Sequence, residues 1–134
     1  MEKTFRVEIY TPTGKYLSTE ADFLRVTSSV AVLGILPNHA PLITTLEICK
    51  LTIRSGSKEN VYAISGGILN IKKDHSVTLL LNAIERNDEI DIERARNAQK
   101  RAEERISSHN EEVDISRAKA ALSRALNRIT ISKE

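Results

Sequence analysis

DIERARNAQKRAEERI at residues 91–106 is answered by DISRAKAALSRALNRI at residues 114–129, twenty-three positions further on. The two stretches agree at Asp91/Asp114, Ile92/Ile115, Arg94/Arg117, Ala95/Ala118, Ala98/Ala121, Arg101/Arg124, Ala102/Ala125, Arg105/Arg128 and Ile106/Ile129. In each, apolar residues step by three and four: Ile92, Ala95, Ala98 or Gln99, Ala102 and Ile106, then Ile115, Ala118, Leu122, Ala125 and Ile129. That is the period of one helical face. Asp91 and Asp114 stand where an N-cap acid accepts orphan backbone N–H groups, and each arginine three positions on is placed to pair with its acid. Glycine and proline are absent after Gly67, as long helices require. The polar break SSHNEEV at 107–113 makes the pair an antiparallel helical hairpin over 87–134.

Working back towards the N-terminus, the period changes from helix to strand. Phe5, Val7 and Ile9 alternate with Arg6, Glu8 and Tyr10, the pattern of a half-buried strand. Short apolar runs follow at 21–26, 33–36, 45–48, 51–53, 61–64, 68–71 and 77–81. Pro12-Thr13-Gly14, Pro37-Asn38, Gly56-Ser57, Gly66-Gly67 and Asp74-His75 punctuate them. Many short strands between turn signals predict an antiparallel sandwich or barrel. Pro37 and Pro41 exclude the segment between them from any central strand. The expected fold class is an all-β sandwich, residues 1–86, followed by the α-helical hairpin, residues 87–134.

Composition narrows the function classes. Twenty basic residues face 18 acidic ones, so no global charge favours nucleic acid. Tryptophan is absent and aromatics are few, which removes stacking platforms for bases or sugars. A single cysteine, Cys49, rules out an internal disulfide and a cysteine-based zinc site, and it suits a reducing compartment. Beside a strand it is most simply a small buried hydrophobe. No two of His39, His75 and His109 have ligand spacing. Ser65-Gly66-Gly67 lacks the Lys-Ser/Thr of a phosphate loop and precedes a strand, so it reads as a tight turn. No Ser/His/Asp set or carboxylate pair is spaced for catalysis. The MEKTFRVEIY start does not resemble a signal peptide, and no apolar run is long enough for a bilayer.

The chemistry-bearing feature is the hairpin. Its seam is mostly alanine, which allows close approach but buries little. A buried Leu or Ile contributes about 1.5–3 kcal/mol, whereas ordering the backbone opposes it by roughly 1–2 kcal/mol per residue. Two outcomes remain open on composition: an element that undocks or rearranges, or a rigid pair firmly seated on the sandwich. Arg94, Arg101 and Arg105 share a helical face, and Arg117, Arg124 and Arg128 repeat that spacing. No acid lies between Arg117 and Thr130, so the second helix is locally basic. An antiparallel turn would bring Asp91 and Arg94 near Arg124 and Arg128, a gathering suited to an oxyanion or phosphate. The alternatives are a solvated face with intrahelical pairs to Asp91, Glu93, Glu103 and Glu104, or a face that meets an acidic protein surface.

GILPNHAPL at 34–42, ISGGIL at 64–69 and IDIERA at 90–95, in this order and spacing, resemble the epsilon-subunit family of F-type ATP synthases. The resemblance covers essentially the whole chain. It implies a non-catalytic subunit of the central stalk of a proton-translocating synthase. In that family the sandwich packs on the gamma subunit and the membrane rotor ring of c subunits. The helical pair has a folded and an extended state, and the extended one reaches the catalytic beta and alpha subunits and blocks ATP hydrolysis. Arg117, Lys119, Arg124 and Arg128 would form the inhibitory basic face. In some bacterial members the folded pair binds ATP as a regulatory ligand, and no other cofactor is required. The residues matching that motif are Ile90, Asp91, Arg94 and Ala95, with Arg124 and Arg128 from the second helix and Glu85 and Arg101 as further candidates. Val32 and His39 fall at the expected stalk or ring contact. The family often has a glycine and an acid before Gly34, where this chain has Ala31-Val32, which argues against a charged ring contact at this loop. The resemblance also implies a peripheral position on the cytoplasmic face of a bacterial plasma membrane, or alternatively on an organelle inner or thylakoid membrane, and no nucleic-acid partner.

Overall fold

Phe5, Val7 and Ile9 are buried and their neighbours are not, as their alternation requires. The structure, a computed structural model, describes residues 3–108 and 114–133. The hairpin tip, with His109, lies outside them. The strands are β1 (Phe5–Thr11), β2 (Gly14–Ala21), β3 (Phe23–Thr27), β4 (Val32–Ile35), β5 (Leu42–Ser55), β6 (Lys58–Ile71), β7 (Val77–Leu81) and β8 (Ile84–Arg86). A 3-10 turn at Asn87–Glu89 leads into α1 (Ile92–Ser107) and α2 (Ile115–Ser132). The chain is a β-sandwich followed by a helical hairpin.

One hydrogen-bonded network runs β2-β1-β7-β6-β5-β3-β4, with β8 also on β6. It becomes two layers because β5 and β6 are long, 14 residues each, and change the face they bury half-way. In β6, Tyr62 and Ile64 point into the core, and beyond the glycines Leu69 and Ile71 do. An even-numbered set has given way to an odd-numbered one. In β5 the same exchange separates Leu46 from Cys49, Leu51 and Ile53. A strand alternates strictly, so such an exchange demands a local break in its regular geometry. Both breaks lie at one level, between the Leu46/Gly67 and Ile48/Ser65 pairs. The pairing of β3 with β5 slips there as well, from Arg25/Thr52 to Ser28/Leu46.

Gly66 and Gly67 are therefore a bend inside β6 and not the tight turn expected at Ser65-Gly66-Gly67. The runs at 45–48 and 51–53 are one strand, and so are those at 61–64 and 68–71. Gly66 has φ +94° and Gly67 φ +153°. A Cβ on Gly67 would lie 2.1 Å from the Leu80 carbonyl oxygen, because β7 crosses directly against it. Past this point β6 exchanges β7 for β8 along the same edge. The Asn82 N–H donates to Gly66 O at 3.0 Å and the Ser65 N–H to Ala83 O at 3.2 Å, so the exchange costs few backbone bonds.

The Pro37–Pro41 segment lies outside the strands, as its prolines demand. It is pinned to the β6–β7 turn, where His75 Nδ1 lies 3.0 Å from His39 O. Both this contact and His39 Nδ1 to Ala40 O, at 2.7 Å, need an N–H on the ring nitrogen, since a carbonyl only accepts. At the opposite corner Arg54 Nε donates to Asp22 at 2.8 Å and the Gly56 amide at 2.6 Å, and these two bonds hold the Asp22 carboxyl below its ordinary range.

Gly67→Ala combines an unfavourable φ with a backbone clash, so it should destabilise the sandwich by about 3 kcal/mol. A chemical denaturation midpoint compared with that of the parent chain measures this. A Gly56→Ala control, strained in φ but with open space around its Cβ, should cost less.

Candidate functional site

Each helix begins on its aspartate. Asp91 accepts the Arg94 backbone N–H and Asp114 the Arg117 backbone N–H, both at 3.1 Å. The acids thus serve the arginines' amides, with each helix N-terminus lying within reach of the same carboxylate. The buried side chains of the pair are Ala95 and Ala102 on α1, and Ala118, Ala125 and Ile131 on α2. The seam is as thin as its composition implies. α2 lies on β5 and β6, and α1 lies mainly against α2. Among the described residues the second helix carries the main seat on the sandwich.

At the open end of the hairpin the C-terminal turns of α2 return to the start of α1. A cleft of about 480 Å³ lies there. Arg94, Arg101 and Arg128 line it together with Glu85, Glu89 and Asp91, over a floor of Ala83, Ala95 and Ala98. Arg94 and Arg101 stand two turns apart on one face of α1. Arg128 Nε donates to Glu85 Oε1 at 2.6 Å, joining α2 to β8. Both partners are about one-third exposed, at 31% and 35%, so this pair is a directional contact more than a source of stability. At the 3-10 turn Arg86 bonds Asp88 at 2.6 Å, which holds the Asp88 carboxyl low and raises the Arg86 guanidinium. Three guanidiniums near a helix N-terminus provide donors for phosphate oxygens, and Glu85 and Glu89 provide acceptors for a ligand hydroxyl or amine.

Of the residues singled out from sequence, Glu85, Asp91, Arg94, Ala95, Arg101 and Arg128 meet at this cleft. Ile90 and Arg124 do not line it. Arg124 sits one helical turn before Arg128, roughly 6 Å back along α2 at 1.5 Å per residue. The four residues of the basic face also separate. Arg117 and Lys119 are exposed, Arg124 is half-buried, and Arg128 turns to Glu85. Glu89 escaped the sequence reading because a surface acid in a turn carries no pattern. Asn127 escaped it too. Its amide donates to Cys49 O at 2.8 Å and to Ile64 O at 3.5 Å, bonding α2 to both long strands.

Val32 is exposed on β4, between exposed Val30 and Leu36, whereas His39 is half-buried with its carbonyl held by His75. A second apolar surface lies across β5, β6 and β7. Ile68 pairs with Leu80 and with Thr45, and Ile43 is two residues from Thr45, so all three large side chains share the outward face. Ile43 is 72% exposed, unusual for an aliphatic side chain in a central strand. Its signal in the sequence was an apolar residue at an outward position, inside a run that reads simply as strand.

The model described as ATP synthase, Delta/Epsilon chain, beta-sandwich domain matches residues 4–87, and that of the long alpha-helix domain matches residues 88–133. The chain belongs to the ATP synthase epsilon-chain family. The epsilon chain of Pelotomaculum thermopropionicum is 44% identical over 106 residues, covering 79% of this chain and 78% of the relative. That of Desulforamulus reducens is 43% identical over 108 residues, covering 81% of each. The fold matches a chain in the cryo-EM structure of the Euglena gracilis mitochondrial ATP synthase OSCP/F1/c-ring, with TM-score 0.86 and 18% identity over all of this chain and 84% of that one. A chain in the Tetrahymena thermophila mitochondrial ATP synthase central stalk/c-ring structure matches with TM-score 0.59 and 16% identity, covering 98% of this chain and 95% of that one. Among the described residues of this epsilon-family chain, no helix is long and apolar enough to cross a membrane.

Ala102 is 2% exposed and faces α2. Ala102→Leu should push α1 off α2 at a cost of about 1–3 kcal/mol. Circular dichroism should show helical signal melting before the sheet, with the sandwich transition unmoved.

Proposed function

We propose that this chain is a non-catalytic central-stalk subunit of a proton-translocating F-type ATP synthase. It rides with the gamma subunit and the ring of c subunits, and inhibits ATP hydrolysis when its hairpin leaves the sandwich for the catalytic beta and alpha subunits. The observation that carries this reading is the mismatch between the two halves of the molecule. The sandwich has a continuous core of large side chains, whereas the fully buried positions of the hairpin are mostly alanines and its seat is mainly through α2. Undocking α2 would free Arg124 and Arg128, which share a helical face with the already exposed Arg117, while Lys119 adds charge on the opposite side, a cationic helix suited to acidic segments of a partner. Electrostatic complementarity of that kind speeds and directs docking more than it adds affinity. The outward aliphatics Ile43, Ile68 and Leu80 on one side, and Val30, Val32 and Leu36 on another, support two separate packing partners for the sandwich. Attachment is then peripheral, at the cytoplasmic face of a bacterial membrane, consistent with the bacterial relatives.

Co-purification with gamma and the c ring tests the stalk assignment. Removing residues 88–134 from the reconstituted complex should leave that association intact and raise ATPase activity severalfold. Unchanged turnover in the truncated complex would remove the inhibitory role.

A second reading is favoured by the cleft. Arg94, Arg101 and Arg128 converge where a nucleotide's phosphates would bridge α1 and α2, so ATP would act as a regulatory ligand that holds the hairpin docked. Binding only the docked form stabilises it by about 2.7 kcal/mol when free ATP is a hundred times Kd. The thermal midpoint of the hairpin should rise with ATP in the isolated chain, and the rise should vanish in Arg94→Ala and Arg128→Ala. Identical midpoints with and without nucleotide would end this reading.

A further inference from the structure

The Asn127 side chain, half-buried on α2, bonds the main chain of the sandwich. Its two acceptors, Cys49 O and Ile64 O, belong to residues that pair across β5 and β6. Since both are carbonyl oxygens, the amide must present its NH2 end, and a carboxylate there would face only acceptors. The neighbouring Arg128 reaches Glu85 on β8, and Ile131, one turn on from Asn127 along the same face, is 1% exposed. The seat of the hairpin is thus concentrated in the last turns of α2.

We infer that Asn127 is the latch of the hairpin: a positioning residue whose bonds to β5 and β6 hold α2 on the sandwich and set the rotation that turns Arg128 into the cleft. Three observations support this. The inter-helix seam is alanine and holds the helices to each other, leaving the seat to other contacts. The Glu85–Arg128 pair is about one-third exposed and so partly screened. A bond to a main-chain carbonyl, by contrast, holds a fixed point of the sheet and is indifferent to salt. Asn127 also lies at the level of the bend in β5 and β6, where Cys49 and Ile64 are the first core residues beyond the break. This inference rests on the reading that the hairpin leaves the sandwich, and it names the contact that must break first.

The test is amide hydrogen exchange on the full isolated chain, comparing the parent with Asn127→Ala and Asn127→Asp. Loss of one net hydrogen bond of ordinary strength should raise exchange across α2 about two- to twelve-fold in Asn127→Ala. Asn127→Asp, nearly the same shape but facing two acceptors, should exchange faster still, while β5 and β6 keep their protection in both. A merely space-filling role gives the opposite order, with Asp matching the parent and Ala worst, and that order overturns the latch. So does an unchanged α2 in both variants, or a loss of protection that spreads through β1–β7. Faster α2 exchange with unaltered ATPase activity of the assembled complex upholds the latch and removes the inhibitory reading instead.

Discussion

Two adjacent strands that change their buried face at the same level are the constraint on which the molecule depends. If β5 and β6 alternated without a break, one face of the second half would turn its core residues to water. Leu51, Ile53, Tyr62 and Ile64 would then lie outside the core that Leu46, Leu69 and Ile71 help to build. The break keeps every set inward and folds one continuous sheet over itself. Only glycine suits the inner strand there, because β7 passes too close to Gly67 for any side chain. The same bend releases β6 from β7 to β8, which carries the chain to the place where the hairpin starts. Sandwich, seat and cleft are consequences of one local irregularity.

The hairpin follows a different economy of contacts. Its helices are locally well determined, with two capping aspartates and long runs free of glycine and proline. Their association is weakly determined, because alanine brings backbones together without much area. Among the described residues, the polar bonds that seat the pair include Asn127 to two carbonyls and Arg128 to Glu85, beside the buried Ile131. A structure held in this way can lose its seat without losing its helices. Local order and tertiary attachment are thus determined separately in the hairpin.

These two regimes explain what could be read in the residues alone. The repeat at 91–106 and 114–129 declares both helices and their caps, and Phe5, Val7 and Ile9 declare β1. Asp91, Arg94, Arg101 and Arg128 could be grouped because helical spacing and an antiparallel turn suffice to place them. The continuity of β5 and β6 could not be read, since Gly66-Gly67 satisfies a turn and an in-strand bend equally well. That Arg124 does not line the cleft could not be read, because the offset and rotation of α2 against α1 lie in packing. Asn127 was invisible for a simpler reason. An asparagine in a helix reads as a solvent residue until the surface beneath it is known.

The parallel pairing of β1 with β7 sets an order of events during synthesis. Val7 meets Val77 and Ile9 meets Leu79, so the first strand made must wait for nearly the last one of the sheet. At about 5–20 residues per second a ribosome leaves β1 unpaired on that edge for on the order of several seconds. Its other edge is covered early by β2, which shields the nascent strand from stray partners. The helices are made last, after every strand of the platform on which α2 lies.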